Sequence, residues 1–211
     1  MAIDSSFDAA ALRRAFAGTV VPSDPTDVID LPGSEHWPAD LRAKLEGLLK
    51  PAGVLVPFIQ RAEGLTVLLT ERSAELKHHA GQVSFPGGGM EPHDTDIGET
   101  ALRETEEEVG IAREAVELVG FLEPMPTVTG YAVTPAIGLI AEPPALALDG
   151  QEVASAFEVP FDYLLDRDNG KMIERELFGR QTTMLEYHYD GYRIWGATAM
   201  MIIQLLKIIS K

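Results

Sequence analysis

Two kinds of hydrophobic pattern divide the chain near residue 50. Before it the apolar positions recur at helical spacing; after it they gather in short β-rich runs. Ala9–Phe16 is a short amphipathic stretch, and Val21–Glu35, rich in Pro, Asp and Ser, reads as a linker. Ala39–Leu49 sets Leu41, Leu45, Leu48 and Leu49 at helical spacing. Residues 1–50 therefore predict a peripheral helical extension and linker, and residues 51–211 a single domain. Within that domain Val54–Ile59 and Leu65–Thr70 predict an antiparallel pair around the polar turn Gln60–Gly64. A glycine- and acid-rich loop leads into a helix over Ile97–Val109. Further strands are expected at Val116–Phe121, Tyr131–Ile140 and Val153–Val159, with a short helix at Phe161–Leu165. Leu185–Tyr189 and Tyr192–Trp195 form a predicted hairpin with Asp190-Gly191 at its turn. Thr198–Ile209 closes the chain as a helix. Strands and helices mixed without regular βαβ alternation predict an α/β (α+β) fold, a mixed sheet with helices packed against it.

Composition narrows the function. The 211 residues include 33 acidic and 17 basic ones, a formal net charge of −16. That balance argues against nucleic-acid or anionic-membrane binding, both of which rely on a basic surface. An anionic small molecule remains compatible if divalent cations sit between it and the protein. The absence of cysteine excludes disulfides, thiolate metal sites and cysteine nucleophiles, and fits a cytoplasmic setting. The most apolar run, Met200–Ile209, is interrupted by Gln204 and Lys207 and is too short to span a bilayer.

The segment richest in chemistry runs from Gly87-Gly88-Gly89 to Ile111. Arg103-Glu104-Thr105-Glu106-Glu107-Glu108 puts four glutamates in five positions. On a helix Glu107 and Glu108 lie three and four positions beyond Glu104, so the three share one face, while Ala101, Leu102, Thr105 and Val109 form an adjacent arc that can bury. Glu106 projects elsewhere. Like-charged neighbours of this kind repel by about 0.2–0.5 kcal/mol per pair. A hard divalent cation with oxygen ligands would offset that; a solvated charged face is the alternative reading. Gly110 suits a left-handed helix C-cap, and the glycine loop allows close backbone approach to a metal or phosphate.

Loop, arginine and glutamates in this order resemble the Nudix box: Gly, five residues, Glu, seven residues, then Arg-Glu-apolar-x-Glu-Glu-x-Gly-apolar. Arg103 to Ile111 matches except that Thr105 replaces an aliphatic residue. In the first half the expected glutamate position holds Thr95, and Asp94 follows Gly88 after five intervening residues, so the loop is one residue longer and Asp94 is the substitute. Upstream, Leu68-Leu69-Thr70-Glu71-Arg72-Ser73, Lys77, Gly81 and Phe85-Pro86-Gly87-Gly88 resemble the extra motif of the coenzyme A pyrophosphatase subgroup. Lys77 is the departure, standing where the subgroup has Arg. Thr129-Gly130-Tyr131 and Trp195-Gly196 are similar to later subgroup segments, so the resemblance covers about residues 50–205.

The resemblance implies a Nudix-type mixed β-sheet sandwiched between helices. It also implies metal-dependent hydrolysis of the diphosphate of coenzyme A or its thioesters, giving 3′,5′-ADP and 4′-phosphopantetheine or its acyl form. Glu107 and Glu108 would be metal ligands for Mg²⁺ or Mn²⁺, joined by Glu104, which would also help to deprotonate water, and by the Gly87 carbonyl. Arg103 would orient a neighbouring carboxylate, and Glu152 would be a distal carboxylate from another element. Arg72, Ser73 and Lys77 would hold the substrate. ADP-ribose or NADH is the alternative substrate, and a nucleotide-sensing module without catalysis is the alternative class, although Glu104, Glu107 and Glu108 are all present. His78 and His79 read as loop residues and His188 as structural. Tyr131 and Trp195 read as core or as adenine-stacking rings. Apolar residues in the N-terminal extension and the C-terminal helix would suit a homodimer.

Overall fold

Strand β1 (Lys50–Arg61) is apolar on both faces, which requires a cover on each. The computed structural model, which describes residues 7–29, 39, 42–43, 48–76, 79–177 and 179–210, supplies both covers. β1 turns back into the antiparallel β2 (Gly64–Arg72) with Arg61 opposite Gly64. Its other edge runs parallel to β7 (Tyr131–Ile140), from Lys50 beside Tyr131 to Ile59 beside Ile140. β7 pairs with β5 (Glu117–Phe121), and β2 with β8 (Val153–Pro160). Three very short strands complete this eight-stranded mixed sheet: β3 (Val83–Ser84), β4 (Gly87–Gly89) and β6 (Met125–Pro126). The expected strand pair and the strand positions at Tyr131 and Val153 are present. The three short strands lack enough residues to carry a periodic signal.

On one face Leu55 and Ile59 of β1 pack with Ala101 and Val109 of helix α2 (Ile97–Val109). On the other, Val56 and Phe58 pack with Leu12 and Phe16 of α1 (Ala9–Phe16). Phe161 of α3 (Phe161–Leu165) and Ile202 and Leu205 of α4 (Gly196–Ile209) join them. The sheet is thus sandwiched between helices, as the resemblance implied. The expectation that the N-terminal segment is peripheral is corrected for α1, because Leu12 and Phe16 are fully buried in the main core. Gly120 makes this possible, since a Cβ there would collide with Phe16 and Thr19. The helix expected over Ala39–Leu49 and the later part of the linker lie largely outside the described residues.

A second sheet joins β9 (Gly170–Leu177), β10 (Arg180–Tyr189) and β11 (Tyr192–Ile194). The β10–β11 hairpin turns at Asp190 (φ 48°) and Gly191 (φ 83°), the double positive-φ turn that Asp-Gly favours. Strand β9 was not expected, because its charges mask the alternation. Glu186 on β10 is fully buried and holds Arg175 from β9 and Arg193 from β11. Together they pull its carboxyl down to about 2. Among the described residues no helix is long and apolar enough to cross a membrane.

Candidate active site

Helix α2 begins with Asp96 accepting hydrogen bonds from the amides of Gly98 and Glu99, and ends at Gly110 in the left-handed conformation (φ 76°). Two carbonyls left open near its C-terminus are taken by the loop between β7 and β8. Ala147 N–H donates to Val109 O at 2.9 Å and Asp149 N–H to Glu108 O at 3.0 Å. The helix lies directly on β1 at Gly53, where an added Cβ would stand 2.5 Å from the Ile97 carbonyl oxygen. Beside it, Gly88 leaves room for the Glu104 carboxylate, which an added Cβ would strike. Thr105, at the aliphatic box position, is buried with its hydroxyl donating to Ala101 O at 2.7 Å.

Arg103 is the buried hub of the site. Its Nε and Nη2 donate to both oxygens of Asp94 at 2.9 and 3.0 Å, and Nη2 also reaches Gly89 O at 3.1 Å. Asp94 further accepts from the Thr100 hydroxyl and the Glu91 amide. Arg103 foremost holds the Asp94 carboxyl well below the usual carboxylate range, and Asp94 in turn raises the guanidinium. Nη1 of Arg103 donates to Glu104 at 2.9 Å and to Glu107 at 3.1 Å.

The helical glutamates consequently part company. Glu104 and Glu108 both turn to the Gly87–Gly88 strand, whereas Glu107, which shares Arg103 Nη1 with Glu104, is 59% exposed. Burial raises the Glu104 carboxyl, with Arg103 opposing. Glu108 is 3% exposed, and its contacts are long: Arg72 Nη1 at 3.4 Å and the Gly87 amide at 3.3 Å. Burial pushes its carboxyl up to about 7, despite the opposing charge of Arg72. Glu152 lies on the loop before β8, with its carbonyl accepting from Ser73 N–H at 2.8 Å and its carboxylate 3.9 Å from Arg72 Nη2. Its charge is felt at both Glu104 and Glu108.

Arg72 thus stands between carboxylates of two separate elements. The Ser73 hydroxyl accepts from the Glu75 amide at 3.4 Å in a local turn, while Lys77 and His78 lie outside the described residues. Gly87 turns its amide, rather than a side chain, to Glu108. The other candidates lie elsewhere: His79 contacts Gln82, His188 lies 3.4 Å from Glu186, Tyr131 packs against the main core, and Trp195 lies under Arg193. A cavity of about 370 Å³ between Glu71, Gln82, Tyr192, Arg193 and Trp195 is lined by none of the box carboxylates.

The donor set is all oxygen, and a shared positive charge between Glu108 and Glu152 is already tolerated in the form of a guanidinium. Both features fit a hard divalent cation. Among the described residues, no three acidic or histidine side chains form a ready-made cluster around one point. The fit therefore rests on Glu108 and Glu104 facing the glycine strand, with Glu152 beside them. The amides of Ala147 and Asp149 escaped the sequence reading, since backbone donors leave no side-chain signal beyond the Asp149-Gly150 turn.

Residues 49–178 match the model of the NUDIX domain. The chain is 45% identical over 156 residues to an uncharacterized Nudix hydrolase, NudL, of Photorhabdus laumondii, spanning 73% of this chain and 82% of that protein. It is 40% identical over 157 residues to the NudL of Escherichia coli O7:K1, spanning 74% and 81% respectively. A solved Nudix hydrolase from M. Smegmatis, RenU, overlays with a TM-score of 0.47 at 24% identity, covering 56% of this chain and 74% of that one.

Proposed function

The chain belongs to the Nudix hydrolase family, enzymes that cleave a phosphoric anhydride, and from that premise we propose that its substrate is coenzyme A or a thioester of it. One observation carries the reading. Arg72, from the upstream motif resembling that of the coenzyme A pyrophosphatases, meets Glu108 of the box at 3.4 Å beside Gly87. The segment that would recognise the substrate and the segment that would hold the cation therefore share one spot.

In this reading Glu108 and Glu104 hold the cation, with Glu107 and the Gly87 carbonyl as further candidates and Glu152 contributing from its loop. Mg²⁺ or Mn²⁺ bound there supplies charge neutralisation and polarisation at phosphorus. Arg103 keeps Glu104 oriented by a charge-assisted bond, and Asp94 keeps Arg103 in place. A water oxygen forms the new bond to one phosphorus while the bridging P–O bond breaks, and the water proton passes to a carboxylate, Glu104 by its position. The products are 3′,5′-ADP and 4′-phosphopantetheine or its acyl form. Arg72, Ser73 and Lys77 grip the substrate, the guanidinium suiting a phosphate fork and the ammonium acting as a point charge. The hydrolase unit is residues 51–211, with α1 of the extension built into its core, and the working compartment is the cytoplasm.

The test is a panel of CoA, acyl-CoA, ADP-ribose, NADH and diadenosine polyphosphates with Mg²⁺ or Mn²⁺. CoA or acyl-CoA should give the highest kcat/KM. A CoA rate below that for ADP-ribose overturns the substrate assignment.

A further inference from the structure

Arg72 and Arg103 both serve the box carboxylates, yet they are held very differently. Arg103 is locked by paired bonds of 2.9 and 3.0 Å to Asp94. Arg72 reaches Glu108 at 3.4 Å and Glu152 at 3.9 Å, both at the outer edge of contact. Its backbone, by contrast, is fixed: its amide donates to Gln82 O and its carbonyl accepts from Gly81 N–H, each at 3.0 Å. The side chain is therefore the part free to swing. Glu108 comes from α2 and Glu152 from the loop before β8, and the guanidinium is the positive charge lying between them.

A divalent cation on Glu108 would lie within a few ångströms of that guanidinium, and two positive charges so close in a partly buried site repel strongly. We propose that Arg72 and the divalent cation compete for Glu108 and Glu152, so that arrival of the cation releases Arg72 to grip the phosphate of the substrate. Cation binding then precedes and prepares anion binding. The Gly87 amide keeps Glu108 in position once Arg72 has left. The inference rests on the reading of Glu108 as a cation ligand.

Mn²⁺ binding to the full chain, followed by electron paramagnetic resonance, tests the competition. Arg72→Gln should bind Mn²⁺ about tenfold tighter than the wild type, Arg72→Lys should stay within about twofold, and Glu108→Gln should lose the site. The same Arg72→Gln chain, saturated with Mn²⁺, should bind pyrophosphate about tenfold more weakly. Mn²⁺ affinity that is unchanged or weaker in Arg72→Gln overturns the proposal. Should that variant unfold, the wild type supplies a second readout: the side-chain Nε resonance of Arg72 moves on Ca²⁺ addition while that of Arg103 stays, and a stationary Arg72 signal overturns it equally. A wild-type chain that shows the Mn²⁺ competition but cleaves no diphosphate on the panel sinks the proposed function and leaves the competition standing. Unchanged Mn²⁺ affinity in Arg72→Gln beside robust CoA hydrolysis does the reverse.

Discussion

Glu108 is an acid in surroundings that disfavour its charge. It is 3% exposed, and its two partners are distant enough that burial dominates and pushes the carboxyl up to about 7. The folded-state value lies above the unfolded one, so the charged form carries a stability cost that is absent at acid pH. That cost grows as pH rises from about 4.5 and is complete above about 7. Glu108→Gln should therefore stabilise the chelator-treated protein at pH 8 by about 1–3 kcal/mol in urea unfolding, with little difference from wild type at pH 4.5. The same change should lower turnover by orders of magnitude. A destabilised variant at pH 8 would show that the side chain is held by contacts stronger than those described. That Glu104 and Glu108 share a face was legible from their spacing alone. The exposure of Glu107 was not, because Arg103 Nη1 reaches Glu104 and Glu107 alike while the gap at Gly88 is filled by Glu104.

Among the elements, the placement of α2 depends on two residues without side chains. Gly53 lets the helix backbone rest on β1, and Gly88 leaves space for Glu104. Gly53→Ala would push the helix off the strand through backbone atoms that cannot rotate away. It should cost about 1–3 kcal/mol in urea unfolding and lower turnover with it. A neutral outcome would mean that α2 can shift without consequence for the glutamates. Helix α2 could be read from its periodicity and from Gly110 after it, whereas Asp96 as its N-cap is a finding of the structure. Strand β9 could not, because its charges break the alternation and the partner of Arg175, the buried Glu186, lies on the neighbouring strand.

For the molecule as a whole, the N-terminal segment is the main revision. Phe16 is fully buried against the face of the sheet that α4 also covers, and Arg13 ties α1 to Glu117 on β5. Phe16→Ala should cost about 3–5 kcal/mol and lower Tm by roughly 10 °C. A change below about 1 kcal/mol would make α1 the dispensable appendage that its short pattern suggested. Eight residues with two buried side chains give a weak signal, since the partner surface is assembled from strands distant in sequence.

The long parallel ladder between β1 and β7 also has a consequence for biosynthesis. Lys50 cannot meet Tyr131, nor Ile59 meet Ile140, until the intervening helix and strands have been translated. The nascent β1, apolar on both sides, must wait with only β2, β4 and α2 beside it, all of them earlier in the chain than β7. Refolding should accordingly be limited by this long-range closure, and the interval before it is when a chaperone would be most needed.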